Sequence, residues 1–175
     1  MLRLITIMSL LPFVSGCLNN NRTPSDIDQF IAAFENEDFV QFKNISITLK
    51  SKSANKAIYI LIKTNSNLPA YIITYDLVKK RIMEIDHSML AKAGIEDYFT
   101  DAQLSNYIET FRKYDFYVLS VDNDCNVYLN PFYANQPVCL MRIKNSSYHN
   151  IIQKGYLYEQ YKGRWYLNIS SMGAN

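Results

Sequence analysis

The sequence predicts an α+β fold: antiparallel sheet arranged in meanders, with two main helices packed on one face. Three observations predict it. Apolar residues recur at helical spacing in two separate segments. Around them, short strand-like runs follow one another with only turn residues between, which implies antiparallel pairing rather than α/β crossovers. The composition agrees, since 14 tyrosines stand against 5 glycines and tyrosine favours strands.

The first helix opens at Thr23-Pro24-Ser25-Asp26. Thr23 or Ser25 can cap it, Pro24 suits its first turn, and Asp26 and Asp28 favour the positive end of the dipole. Ile27, Phe30, Ile31 and Phe34 form one apolar face, and the helix fades near residues 36–38.

Strands follow. Ile45, Ile47 and Leu49 alternate with Ser46 and Thr48, so one face is buried and one is wet. Val40 and Phe42 have the other parity, which predicts a bulge or a break at Lys43-Asn44. Residues 50–56 are a lysine-rich connection. Residues 57–62 are nearly all apolar, the pattern of a central strand covered on both faces. Turn residues at 65–69, a strand at 71–75, and a hairpin connection at 76–80 into 81–85 complete a four-stranded antiparallel meander.

Residues 87–98 allow a short helix ended by Gly94. Thr100-Asp101-Ala102-Gln103 is a capping box, and Leu104, Tyr107, Ile108 and Phe111 repeat the apolar face of the first helix. Strands resume at 115–121, 125–129, 137–143, 154–161 and 164–169. Gly163 turns the last hairpin, and Trp165 anchors the core. The two halves share a plan but no residues matching at a fixed offset.

Ahead of this domain, Met1-Leu2-Arg3 carries one positive charge. Residues 4–14 are apolar apart from Thr6, Ser9 and Pro12, and small residues follow. This is an export signal. At ~1.5 Å per residue the run covers roughly half of a ~30 Å hydrocarbon core, too short to stay as a membrane span. Val14-Ser15-Gly16-Cys17 resembles the lipobox of bacterial lipoproteins: an aliphatic residue, two small residues, then the acylated cysteine. The resemblance covers the signal alone. It implies cleavage before Cys17, a diacylglyceryl group on its sulfur, and membrane lipid as a partner. In that family an aspartate after the cysteine retains the protein at the inner membrane. Leu18 stands there, which implies an outer-membrane anchor facing the periplasm. The chain then divides into a signal peptide at 1–16, an Asn-rich lipidated tether at 17–23, and one domain at 24–175.

With Cys17 spent on lipid, Cys125 and Cys139 remain. The exported compartment permits a disulfide. A hairpin centred near Phe132 sets the two opposite each other, and the bridge closes a loop worth about 3 kcal/mol in the chain-entropy model. Two free thiols acting as small apolar side chains are the other reading.

No catalytic, cofactor or metal motif stands out. Asp122-Asn123-Asp124-Cys125-Asn126 has the spacing that begins a calcium loop. Val127 and Tyr133 occupy the positions that need glycine and glutamate, so a tight turn is the better reading. His87 and His149 belong to no metal spacing. Ser88 lies in no nucleophile elbow. Glu35, Glu37, Asp38, Glu84, Asp86, Glu96 and Asp97 are no more numerous than in any such domain, and do not by themselves mark a carboxylate pair. The loop at 130–137 holds Phe132 and Tyr133 between prolines and asparagines, which suits either a recognition loop or a cap on the core. Lys50, Lys52, Lys56 and Lys79-Lys80-Arg81 read as protection of strand edges or as contacts to an anionic polymer. The net charge of +2, with both signs interspersed, speaks against a nucleic-acid partner.

These features predict a non-catalytic envelope module that binds a protein or a cell-wall component. An immunity or inhibitor protein acting on a toxin or hydrolase is the alternative, and an enzyme with a scattered site ranks third.

Overall fold

The computed structural model describes residues 24–132, 136–145, 150–153 and 155–168. Cys17, the signal and the tether lie outside the described residues, as do Tyr133 and His149. Helix α1 spans Pro24–Phe34 and is followed by a 3-10 turn at Val40–Phe42. Four strands come next: β1 (Ile45–Lys52), β2 (Lys56–Lys63), β3 (Tyr71–Asp76) and β4 (Arg81–Asp86). Helices α2 (Ser88–Ala93) and α3 (Asp101–Phe111) separate them from β5 (Val118–Val121), β6 (Val127–Asn130) and β7 (Leu140–Arg142). The described residues end with β8 (Asn150–Gln153), β9 (Tyr156–Lys162) and β10 (Trp165–Asn168).

All ten strands join one antiparallel sheet in the order β4-β3-β2-β1-β5-β6-β7-β10-β9-β8. The predicted meander is its first half, and β1 joins it to the second. A single row crosses seven strands: Tyr71, Leu61, Ile47, Leu119, Leu129, Leu140 and Leu167 are successive cross-strand partners. Every one of them is buried. Ile27 and Ile31 of α1, Leu90 of α2, and Leu104, Ile108 and Phe111 of α3 belong to the same core cluster.

Local chemistry explains the element ends. Thr100 and Gln103 form the predicted capping box, with the Gln103 N–H donating to Thr100 Oγ1 (3.2 Å) and the Thr100 N–H to Gln103 Oε1 (2.9 Å). Gly94, at φ +65°, ends α2. The predicted irregularity at Lys43-Asn44 is a change of parity: the 3-10 turn is followed by Asn44 at φ 64°. Asp38 Oδ1 accepts from the Val40 N–H at 2.9 Å and starts that turn. Phe42 and Ile45 thereby both reach the core.

Three expectations need correction. Strand β2 is not covered on both faces: Ala57, Tyr59 and Leu61 are buried, but Ile58, Ile60 and Ile62 are only half-buried. A strand at 150–153 was not predicted, and it pairs with β9 around Gly155 at φ +81°. The predicted Cys125–Cys139 bridge is absent, and both thiols are free. The β6–β7 register pairs Val127 with Arg142 and Leu129 with Leu140. Continued outward, that register sets Cys139 beside Asn130 and Cys125 beside Lys144, so the hairpin is not centred near Phe132. Five residues of strand separate the two positions, on the order of 15 Å, whereas a disulfide needs Cα atoms within about 7 Å.

A buried cation joins α1 to the sheet. Arg142, 9% exposed, donates from its guanidinium to the carbonyl oxygens of Phe34 (2.8 Å), Glu35 (3.0 Å) and Glu37 (2.7 Å). It lies against the rings of Phe39 and Trp165 at 5.3 and 5.5 Å. Trp165 Nε1–H donates to the Glu35 carboxylate. A helix C-terminus leaves carbonyls without partners and carries partial negative charge, and this guanidinium answers both. Burial lowers the Arg142 pKa and Arg164 lowers it further, while Glu35, Asp38 and Glu37 act against them. Replacing it as Arg142→Met strands the Glu37 carbonyl, leaves those of Phe34 and Glu35 only long bonds to the Glu37 N–H (3.3 Å) and to Arg164 (3.4 Å), and is expected to cost about 3 kcal/mol. Arg164→Ala, which removes a half-exposed pair to Glu35, is expected to cost under about 1 kcal/mol. Urea unfolding of the two variants checks this, and equal losses would contradict it.

Candidate functional site

The strand side chains that alternate with the core row line a groove of about 920 Å³. Its floor is built by register. Ile62, Ser46, Ser120 and Tyr128 are successive cross-strand partners, and Ile60, Thr48 and Val118 form the next row. All seven are half-buried. The floor therefore alternates hydroxyls with branched apolar side chains at the centre of the sheet. Among the described residues, the side chains of Ser46, Thr48 and Ser120 have no hydrogen-bond partner.

One wall comes from the outer hairpin, through Gln153 of β8 and Tyr156 and Tyr158 of β9. The Tyr158 hydroxyl donates to the Val138 carbonyl oxygen at 3.1 Å, which pins that wall to the 136–138 segment. Burial pushes the Tyr128 and Tyr158 phenols up to about 12. They are neutral hydrogen-bonding groups at physiological pH.

The lining contains one carboxylate, Asp122, and it is saturated. Its Oδ1 accepts from the Asp124 and Asn126 N–H groups, both at 2.9 Å. Its Oδ2 accepts from Asn126 Nδ2 and the Tyr128 hydroxyl, also at 2.9 Å. This is the tight turn that the sequence predicts, with Cys125 at φ 62°. A carboxylate holding four hydrogen bonds has no lone-pair capacity left for a water or a substrate proton. Lys50 and Lys63 also line the groove, and neither has an acidic partner among the described residues.

The residues singled out from sequence are dispersed. Phe132 is half-buried against Phe30, ring centroids 5.8 Å apart, and caps the core rather than the groove. The far end of its loop, at Gln136, Pro137 and Val138, does line the groove. Cys139 is buried with Sγ 3.6 Å from the Leu129 carbonyl oxygen, and burial pushes its thiol up to about 12. His87 Nδ1 lies 2.7 Å from Asp97 Oδ1, with its ring edge-on to Tyr71. The Tyr71 hydroxyl oxygen accepts from the N–H groups of Tyr98 (2.9 Å) and Phe99 (3.2 Å), so this cluster clamps the 95–99 segment onto β3. Glu35, Glu37, Asp38 and Asp86 are engaged by Trp165, Tyr114, Val40 and Ser88 respectively. Neither these four acids nor Glu84, Glu96 and Asp97 line the groove. Among the described residues, no three His, Cys, Asp or Glu side chains gather as a metal ion would require.

Sequence reasoning missed the groove itself. Its signal lies in Ser46 and Thr48 alternating with core residues on β1, which by itself marks only a wet face; Ser120 joins them through strand pairing.

In comparisons with known proteins, no family model matches the chain, no curated protein matches it, and no solved structure matches it.

The cysteine assignment has a direct check. In denaturant without reductant, peptides containing Cys125 and Cys139 should both be alkylated. In the native protein, Cys125 should react well ahead of the buried Cys139. Recovery of neither as an alkylated peptide would restore the bridge.

Proposed function

We propose that this chain is a membrane-tethered, non-catalytic binding module of the bacterial cell envelope, with the groove as its ligand site. In this reading, the two long helices cover one face of the sheet and leave the other to the ligand. The observation that carries it is the row of hydroxyls without partners at the centre of a ten-stranded sheet. Polar groups removed from water are paired with the protein or with ordered water. Three of them side by side among isoleucine and valine make a surface ready to exchange water for a ligand.

The electrostatics support binding over catalysis. The groove acid is saturated, its phenols are neutral, and its floor offers hydrogen bonds without a base to activate a nucleophile. Anchoring is proposed at Cys17 from the lipobox, with Leu18 favouring the outer membrane and a periplasm-facing domain. A lipid tether confines the module to the membrane surface, where its effective concentration toward an envelope ligand is high.

Two measurements test the reading. The Ser46→Ala, Ser120→Ala double variant keeps side-chain volume close to native and removes the two facing hydroxyls. It is expected to fold and to lose most of its retention on immobilised envelope extract. Undiminished retention would count against the groove. Separately, Cys17→Ser should abolish fatty-acid labelling and release the protein from the membrane fraction, and persistent labelling would refute the anchor.

A further inference from the structure

We infer that the ligand of this groove is an acidic glycan: a linear saccharide chain carrying carboxylates. The inference rests on the groove being a binding site, and it names the chemistry that site selects.

The floor addresses sugar. Ser46 and Ser120 are direct cross-strand partners, about 5 Å apart, and Thr48 lies about 7 Å along the strand from Ser46. Each hydroxyl donates once and accepts twice. Ile60 and Ile62 flank them on β2, and Val118 on β5. A pyranose presents the complementary pattern, with hydroxyls at its rim and C–H groups on its faces. A purely apolar ligand would leave the three hydroxyls unpaired at a cost. Tyr156, 39% exposed, adds an aromatic face with a polar tip, the kind of wall a sugar ring stacks against.

The charge addresses an anion. Lys50 lies two residues beyond Thr48 on β1 and is exposed at the groove, whereas Lys63, two residues beyond Leu61, leaves the end of β2 on the core-side parity. Asp122 turns its charge inward to its own turn. The groove is therefore left with one ammonium group, that of Lys50, which ion pairs within the described residues do not use. A ligand carboxylate supplies the missing partner, with a charge-assisted hydrogen bond stronger than a neutral one.

The test uses the full-length lipidated chain in detergent micelles and three soluble probes. One is a linear oligo-uronate. The second is the same oligosaccharide with its carboxyls reduced to alcohols. The third is poly-glutamate, which carries carboxylates without sugar hydroxyls. The oligo-uronate should bind, and each of the others should bind at least about tenfold more weakly. Lys50→Gln, at an exposed position, should abolish the preference for the oligo-uronate over its reduced form. Ser46→Ala with Ser120→Ala should weaken both saccharides while leaving poly-glutamate unchanged. Equal binding of oligo-uronate and reduced oligosaccharide, or of oligo-uronate and poly-glutamate, overturns the inference. If no saccharide binds while envelope retention still depends on Ser46 and Ser120, the glycan is refuted and the binding groove stands. If that retention does not depend on them, the groove reading fails with it.

Discussion

The position of α1 depends on one buried guanidinium. Arg142 sits on a three-residue strand and holds three carbonyl oxygens at the helix exit, where the exit segment itself offers only the Glu37 N–H to Phe34 at 3.3 Å. Around it the same segment is pinned twice more: Glu35 accepts from Trp165, and Glu37 accepts from the Tyr114 hydroxyl at 2.7 Å. Burial, reinforced by that bond to Glu37, pushes Tyr114 up to about 12, so the phenol keeps the proton it donates. Phe34, Phe39, Tyr114 and Phe116 close over the segment, ring against ring. The polar contacts set direction and the aromatics exclude water, which strengthens the polar contacts in turn.

Tyrosine is used the same way throughout. Tyr75 donates to Glu109 (2.6 Å), Tyr98 to the Pro69 carbonyl oxygen (2.5 Å), Tyr128 to Asp122 and Tyr158 to the Val138 carbonyl oxygen. Tyr71 accepts two backbone N–H groups. In each case the ring adds buried apolar area and the hydroxyl ties down a loop or a facing side chain. This accounts for a tyrosine-rich sequence without making each tyrosine a ligand contact. The hydroxyls of Ser46, Thr48 and Ser120, by contrast, have no partner among the described residues.

The sheet has two unlike sides. The core row runs through seven strands without a polar interruption. The alternate side divides, with Met141, Ile143, Tyr158 and Tyr166 forming a small second cluster beneath β9 while the β1, β2 and β5 region lies open as the groove. The outer hairpin is both the cover of the one and the wall of the other. A floor half-filled with methyl groups stays shaped, and a floor half-filled with hydroxyls stays wet.

What the sequence by itself determined was local. The capping box at Thr100, the Gly94 stop, the alternation of Ile45, Ile47 and Leu49, the Asp122 turn and the first meander all rest on interactions within a few residues, and local pattern encodes those. The tertiary structure decided what depends on long-range register. An offset in the β6–β7 hairpin moved Cys125 away from Cys139, because pairing is set by the buried face of each strand and not by the cysteines. The half-open face of β2 could not be read from an apolar run, which looks the same whether its second face is covered or lines a groove. The meeting of Ser46 with Ser120, 74 positions apart in the chain, exists only once β1 and β5 pair. The groove belongs to the sheet rather than to any segment of sequence.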